Sequence, residues 1–216
     1  MACHTRFIMF VLLGAVAFTA GCTRAPVRDT RSLKLIVEEV RKNNRTACVS
    51  GCIVFEGDSN LELTKVQDYF TVPACNYAYR GSTTDDILNR KEKVSKLNPH
   101  TIILLVGGND LIKRTPLEKI SANYERIIRY YRGICDKVYC ISNLPVHPEI
   151  FIKNDEMKRL NALIEGNCRR LGAAYIDVFP LLLRNGGLNP DYAMDPVHLN
   201  EAGRNVLMEA VKRRLK

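Results

Sequence analysis

Short, continuous runs of apolar residues alternate along this chain with longer segments in which apolar residues recur every three or four positions. The plainest run is Thr101–Val106 (TIILLV), which has no polar alternate positions and therefore predicts a strand buried on both faces. Strands that alternate with helices predict a parallel sheet covered by helices. We predict strands at Cys48–Glu56, Cys75–Tyr79, Thr101–Val106, Lys137–Ser142 and Ala173–Phe179, and helices at Leu33–Asn44, Leu61–Phe70, Thr84–Leu97, Leu117–Tyr131, Asn154–Leu171 and Asn200–Leu215.

The region from residue 33 to 216 contains no repeat, low-complexity tract or internal linker, so we predict one α/β domain there. Hydrophobic residues make up 46% of the chain and charged residues 25%, which excludes a mainly disordered chain and a polytopic membrane protein. The formal net charge of +9 permits a nucleic acid or an anionic membrane as partner but establishes neither.

The N-terminus has the three-part layout of a secretory signal. Arg6 precedes an unbroken apolar stretch at Phe7–Phe18, and small residues then lead to Cys22. The stretch is shorter than the about 20 residues of a spanning helix, so we predict a signal peptide at 1–21, a polar tether at 22–32 and the folded domain at 33–216. Thr19-Ala20-Gly21-Cys22 resembles a bacterial lipobox, which implies lipidation of Cys22; an ordinary cleaved signal with an incidental cysteine is the alternative.

This leader predicts an exported, lipid-anchored protein of the cell envelope. Thr23, rather than Asp, follows the cysteine, which resembles the outer-membrane default of Gram-negative lipoproteins and implies the periplasmic face of that membrane. Export also argues against a nucleic-acid partner. The membrane would then be reached through the N-terminal lipid.

Polar motifs follow two of the predicted strands, and a third precedes the last helix. Gly57-Asp58-Ser59-Asn60 closes the first strand, Gly107-Gly108-Asn109-Asp110 follows TIILLV, and Asp195-Pro196-Val197-His198 precedes the final helix. Each motif alone is compatible with an ordinary turn or helix cap. Sites in open α/β sheets form beyond the carboxyl ends of the strands, however, and the two-residue spacing lets Asp195 orient the imidazole of His198. Together the motifs predict one catalytic site.

These motifs resemble those of the SGNH hydrolases, also called the GDSL lipase/esterase family. The resemblance covers residues 48–214 and includes, in order, GDSN at Gly57–Asn60, Gly81, GGND at Gly107–Asp110 and DPVH at Asp195–His198. It implies a flavodoxin-like, three-layer α/β/α domain with a five-stranded parallel sheet. Asn60 stands where Leu is common in the family, and Pro196 where Gly is common.

The resemblance also implies a mechanism. Ser59 would be the nucleophile, His198 the general base and Asp195 the residue that orients it. The backbone N–H groups of Ser59 and Gly81 and the side chain of Asn109 would form the oxyanion hole. Asp58 and Asp110 are interpreted as structural, and neither a metal nor a cofactor is expected.

The remaining reactive residues carry weaker signals. His100 and His147 have no partner nearby in sequence and are interpreted as structural or surface residues, although His147 follows the fourth strand and could line the substrate mouth. After removal of the predicted signal peptide, which contains Cys3, six cysteines besides Cys22 remain and allow 15 full disulfide pairings. Cys48 and Cys75 each open one of two strands that this fold places side by side, and they form the best single pair.

Three functions remain open at this point. The leading one is an exported serine ester hydrolase acting on an acylated lipid, a glycan or a small ester. An O-acyltransferase of the cell envelope would use the same three residues, and a carbohydrate O-acetylesterase would differ only in substrate. A non-catalytic envelope-binding lipoprotein is the third class, against which the complete set Ser59, Asn109, Asp195 and His198 argues. The GGND form resembles the lysophospholipase/thioesterase branch and favours acyl chains.

Overall fold

The computed structural model describes residues 48–216 of the chain. Its centre is a five-stranded, wholly parallel sheet in the order β2-β1-β3-β4-β5. This is the flavodoxin-like strand order, with the first strand inside the sheet. The five strands are β1 (Ile53–Gly57), β2 (Ala74–Asn76), β3 (Thr101–Leu105), β4 (Lys137–Ile141) and β5 (Ala174–Ile176).

Helices cover both faces of this sheet. The helices are α1 (Ser59–Glu62), α2 (Thr84–Ser95), α3 (Gly108–Ile112), α4 (Leu117–Arg132), α5 (Asn154–Leu171), α6 (Phe179–Leu182) and α7 (Glu201–Leu215), with 3-10 turns at Val66–Tyr69 and Pro190–Tyr192. Apolar residues of α2, α4 and α5 form one core cluster with the sheet, those of α7 and α1 form the second on the opposite face, and α6 contributes to both. The predicted three-layer α/β/α fold is therefore confirmed.

The long helices follow the sequence periodicity closely. In α4 the fully buried residues Ile120, Tyr124, Ile127 and Tyr131 recur every three or four positions, which places them on one helix face. Helix α2 begins with a capping box, in which the Thr83 side chain accepts from the Asp86 backbone N–H and the Asp86 carboxylate accepts from that of Thr83. Asn200 caps α7 by accepting from the Gly203 backbone N–H at 3.0 Å.

The first strand begins later than predicted, at Ile53 rather than Cys48. Residues 49–52 form a turn instead, in which the Cys52 N–H donates to the Val49 carbonyl at 3.2 Å and Gly51 has a φ of +79°. Cys48, ahead of this turn, forms a disulfide with Cys75 of β2, with the Cα atoms 4.7 Å apart. The best pair from the sequence is thus confirmed, and the other four cysteines of residues 48–216 are free and buried.

The prediction of one helix at Leu61–Phe70 is wrong. Helix α1 ends at Glu62, because the buried Asn76 amide takes the carbonyls of Leu61 and Thr64 at 2.6 and 2.8 Å. Lys65 then leaves helical geometry, with φ −77° and ψ 77°, before the 3-10 turn at Val66–Tyr69. Helical periodicity does not register such a side-chain competitor.

The fifth strand is also shorter than predicted, at Ala174–Ile176 instead of Ala173–Phe179. The Ser142 hydroxyl accepts from the backbone N–H groups of Val178 and Phe179 at 2.9 and 3.0 Å, which turns the chain out of the sheet into α6. A small antiparallel hairpin, β6 (Leu183–Arg184) with β7 (Gly187–Leu188), follows. None of the short elements α3, α6, β6 and β7 was predicted.

The predicted signal peptide at 1–21, the Cys22 lipidation site, the tether at 22–32 and the helix at Leu33–Asn44 lie outside the described residues. Within residues 48–216, no helix combines the length and apolar character needed to cross a membrane.

Candidate active site

The structure brings the three predicted motifs together at one edge of the sheet. Ser59 follows β1 and Asn109 follows β3, and because these neighbouring strands are parallel their carboxyl ends meet. Asp195 and His198 lie in the turn before α7. The chain therefore joins residues 139 positions apart in sequence at this edge, since His198 contacts Ser59.

Ser59, His198 and Asp195 form a continuous hydrogen-bonded chain. The His198 Nε2 atom lies 2.9 Å from Ser59 Oγ, and Nδ1 lies 2.6 Å from Asp195 Oδ2. The side chains of Asp195 and His198 are each 22% exposed, so the imidazole is held between its partners yet reachable from solvent. In this geometry one ring nitrogen contacts a hydroxyl and the other a carboxylate, as an activated serine requires.

Asp195 is fixed from two directions. Its Oδ1 atom accepts from the backbone N–H groups of Val197 and His198 at 2.9 and 2.8 Å, while Oδ2 meets the imidazole. Burial opposes the charged form, but the His198 hydrogen bond and these two backbone donors outweigh it and lower the pKa of Asp195 below its usual value. The carboxylate is thus ionised and oriented near neutral pH.

The turn that presents Ser59 is held by Asp58. Asp58 is the N-cap of α1, and its Oδ1 atom accepts from the Asn60 backbone N–H at 3.0 Å. Burial raises the pKa of Asp58 to about 6, although the Asn60 bond and the nearby His198 charge oppose this shift. The predicted structural role of Asp58 is confirmed by these contacts.

Asn60 has a connecting role that sequence reasoning missed. Its side-chain Nδ2 donates to the Val197 carbonyl at 3.2 Å, and its Oδ1 accepts from the Leu199 N–H at 3.1 Å. These two partners flank His198, so one amide attaches both sides of the histidine to the helix that starts with Ser59. The only signal in the sequence was the departure from the Leu common at this position.

Gly81 and Asn109 are connected to each other through Ser82. Gly81 has a φ of +74°, a conformation that glycine adopts without strain. The Asn109 Nδ2 group donates to the carbonyl of Ser82, which directly follows Gly81, at 3.0 Å. An amide NH₂ has two donors, so this bond orients the group and leaves its second hydrogen for another acceptor.

Asp110 has a structural role next to this loop, as predicted. Its carboxylate accepts from the Thr84 backbone N–H at 2.9 Å and from the Thr84 hydroxyl at 2.6 Å. Burial raises the pKa of Asp110, and the Thr84 bonds oppose that shift. Thr84 is the first residue of α2, so Asp110 joins the GGND turn to the helix that follows Gly81 and Ser82.

A second missed feature is a buried ion pair behind the Ser59 turn. Glu56, in the penultimate position of β1, is fully buried and accepts from Arg90 Nε at 2.7 Å. Burial raises the pKa of Glu56, while the charge of Arg90 opposes the shift. A charged residue inside an otherwise apolar strand (IVFEG) was the sequence signal for this pair.

Of the other two histidine candidates, His100 lies apart from this arrangement, whereas the backbone of His147 contacts the turn of Asp195 and His198. His100 Nδ1 contacts the Thr101 hydroxyl at 2.9 Å, and His147 Nδ1 accepts from the Glu149 N–H at 3.3 Å. The His147 backbone N–H donates to the Pro196 carbonyl at 2.9 Å, which packs the loop after β4 against the turn of Asp195 and His198. In the part of the chain from residue 48 onward, no group of three His, Cys, Asp or Glu side chains could hold a metal ion.

Comparison with known proteins agrees with this architecture. Residues 55–206 match the GDSL-like Lipase/Acylhydrolase family. A comparison with curated proteins finds no match. Among solved structures, the chain is similar to a candidate platelet activating factor from Streptococcus pneumonia (24% identity, 87% of this chain and 94% of that chain covered, TM-score 0.72).

Two further structures share the fold. One is a GDSL-like lipase from Bacteroides thetaiotaomicron (23% identity, 85% of this chain and 95% of that chain, TM-score 0.68). The other is Axe2, an acetylxylan esterase from Geobacillus stearothermophilus (16% identity, 77% of this chain and 95% of that chain, TM-score 0.66). These likenesses show a common α/β/α scaffold.

Proposed function

Because the chain belongs to the GDSL-like lipase/acylhydrolase family, we propose that it hydrolyses carboxylic esters through Ser59, His198 and Asp195. The single observation that carries this proposal is the continuous hydrogen-bonded chain from Ser59 Oγ through the imidazole to the Asp195 carboxylate, at 2.9 and 2.6 Å. Distances in this range allow direct proton transfer between the hydroxyl and the ring.

In the proposed reaction, Ser59 Oγ attacks the ester carbonyl and passes its proton to His198 Nε2. Asp195 holds Nδ1–H and stabilises the imidazolium that forms. The imidazolium then gives its proton to the leaving alkoxide, and an acyl-serine remains. His198 next takes a proton from water, which attacks the acyl group, and Ser59 recovers its proton as the acid leaves.

Negative charge on the carbonyl oxygen needs donors that are already in place. The proposed donors are the backbone N–H groups of Ser59 and Gly81 and the Asn109 Nδ2. The bond from Asn109 to the Ser82 carbonyl supports this assignment, because it fixes the amide and leaves one of its hydrogens for the substrate.

Acyl chains longer than acetyl are the proposed substrates. Two large apolar side chains are exposed on segments that pack against the His198 turn, namely Met194 (53%) and Phe151 (45%). Met194 N–H donates to the His198 carbonyl at 2.8 Å, and Phe151 lies in the loop that begins with His147. Exposed apolar groups on segments that contact the His198 turn support an apolar substrate portion.

The test is hydrolysis of p-nitrophenyl esters from acetate to dodecanoate by a protein that starts near Ser32. Wild type should be active and should prefer octanoyl or longer esters, whereas Ser59→Ala should be inactive and fold identically. Activity confined to the acetyl ester would overturn the chain-length proposal and favour a carbohydrate O-acetylesterase. Activity that survives in Ser59→Ala would overturn the mechanism, and turnover that requires an acceptor alcohol would favour an O-acyltransferase.

Export and lipid anchoring are proposed on sequence alone, from the apolar stretch Phe7–Phe18 and the small residues before Cys22. Expression of the full chain in a Gram-negative host with radiolabelled palmitate should label the protein and place it in the membrane fraction. Cys22→Ser should abolish the label. Label that persists in Cys22→Ser, or unlabelled soluble wild type, would contradict the proposal.

A further inference from the structure

Arg90 of α2 makes contacts that no role in the proposed proton transfer explains. Its Nε donates to Glu56 Oε1 at 2.7 Å, one terminal nitrogen donates to the Ser82 hydroxyl at 2.8 Å, and the other donates to the Gly57 carbonyl at 3.1 Å. The guanidinium also stacks on the ring of Tyr79 at 4.8 Å from its centroid. The planar fork of arginine is suited to several fixed bonds of this kind.

These acceptors belong to the two segments that would hold the reacting carbonyl. Gly57 lies two residues before Ser59, and Ser82 directly follows Gly81. The Ser82 backbone carbonyl, in turn, accepts from Asn109 Nδ2 at 3.0 Å. One side chain therefore connects the nucleophile turn with the loop that carries Gly81 and that binds the Asn109 amide.

Glu56 and Tyr131 hold Arg90 in this position. Glu56 is fully buried, and its second oxygen accepts from the hydroxyl of Tyr131, which is itself buried in α4. A buried carboxylate contributes little net stability even when it is paired, because desolvation opposes the Coulomb attraction. The pair is also neutral overall, so it cannot stabilise an oxyanion through net charge.

We propose that Arg90, oriented by Glu56, is a positioning residue that sets the spacing between the Ser59 turn and the Gly81–Ser82 loop for the oxyanion. This inference rests on the proposed ester hydrolysis. It assigns the Glu56–Arg90 pair to the geometry of the site rather than to stability. Loss of the pair should therefore lower turnover in folded protein and leave substrate affinity nearly unchanged.

The experiment compares wild type with Arg90→Lys, Glu56→Gln and the double variant Glu56→Met/Arg90→Met, with kcat expressed per site titrated by a p-nitrophenyl phosphonate. The double variant removes both charges, so no uncompensated buried charge remains and the fold should survive. Since a misplacement of about 1 Å can lower turnover about 100-fold, we expect kcat to fall roughly 10- to 100-fold in the double variant and in Arg90→Lys. The KM should stay within about twofold.

An alkyl boronic acid supplies the readout that a purely structural role would not change. It forms a tetrahedral adduct on the serine, so its inhibition constant should rise by the same factor as kcat falls. Arg170→Met is the matched control. Arg170 also forms an ion pair, with Glu125, and a second hydrogen bond, with Asn167. It lies near the end of α5, just before the amino end of β5, whereas the site lies at the carboxyl ends of the strands. This variant should retain wild-type kcat.

The outcomes separate the two proposals. If wild type neither hydrolyses the esters nor reacts with the phosphonate, the proposed function fails and this inference falls with it. If wild type is active and the double variant keeps its kcat per titrated site, or if KM rises while kcat and the boronate constant are unchanged, only the positioning role is refuted.

Discussion

Gly57 is the position where a single methyl group would disturb both the fold and the site. It pairs with Leu105 in the parallel register of β1 and β3. A Cβ atom there would lie 2.0 Å from the Leu105 carbonyl oxygen and 3.1 Å from Leu61 Cδ1. Because Cβ contacts under 3.0 Å essentially do not occur, Gly57→Ala would force the two strands apart by about 1 Å at this pair.

The expected loss of stability is large for one methyl group. Overpacking costs about 1–3 kcal/mol when side chains can move aside. Here the obstacle is backbone, and the same Leu105 oxygen accepts from the Asp58 N–H at 3.2 Å, so we expect Gly57→Ala to lose about 3 kcal/mol of unfolding free energy. The displacement also separates Ser59 from Asn109, and a shift of about 1 Å should lower kcat about 100-fold.

Urea unfolding at neutral pH measures the first quantity, and hydrolysis of a p-nitrophenyl ester by the folded protein measures the second. Gly166→Ala is the matched control, since a Cβ on this residue of α5 meets nothing within 4 Å. It should stabilise the protein by about 0.5–1 kcal/mol and leave kcat unchanged. If Gly57→Ala unfolds with wild-type free energy and keeps most of its activity, the assigned packing between β1 and β3 is wrong.

Three further perturbations test other parts of the structure. Since burial raises the pKa of Asp58 from 3.8 to about 6, its contribution to stability is present below pH 3.8 and lost as the pH rises through 6. The unfolding free energy of Asp58→Asn should therefore rise relative to that of wild type as the pH increases through this window, by about 3 kcal/mol at pH values above it. Urea titrations in which the difference between variant and wild type is the same at pH 4 and at pH 8 would contradict this. Replacing Cys48 and Cys75 by serine opens a loop between residues 27 apart and should cost about 3–4 kcal/mol in thermal or urea unfolding without reductant; an unchanged midpoint would refute it. Asn109→Ala should lower kcat roughly 10²–10³-fold with a smaller change in KM, and steady-state kinetics of this variant equal to those of wild type would refute the proposed place of Asn109 in the oxyanion hole.

The sequence was sufficient to predict the elements that have a periodic pattern of apolar residues. Buried strands such as Thr101–Leu105 and long helices such as Asn154–Leu171 agree with their predictions within about one residue, because many residues contribute to each periodicity. The meeting of the motifs could also be predicted, because the carboxyl ends of neighbouring parallel strands lie at the same edge of a sheet. That constraint was enough to predict a single site containing Ser59, Asp195 and His198.

Features that depend on a single side-chain contact could not be predicted from the sequence. Helix α1 stops early because Asn76, a residue of another strand, takes its carbonyls, and the fifth strand ends where Ser142 takes two backbone N–H groups. Asn60 and Arg90 were missed for the same reason. Their partners are distant in sequence, at separations of 137 for Asn60 to Val197 and 34 for Arg90 to Glu56, and only the assembled fold identifies them.

The order of the site residues along the chain also bears on when the protein can first act during its synthesis. Asp195 and His198 share one short turn, whereas their partner Ser59 lies 139 positions before His198. At translation rates of roughly 5–20 residues per second, the serine would be made on the order of 10 s before the histidine that contacts it. A nascent or truncated chain that lacks the last turn and helix would carry the proposed nucleophile without its proposed base, so the proposed esterase activity would report completion of the C-terminal end.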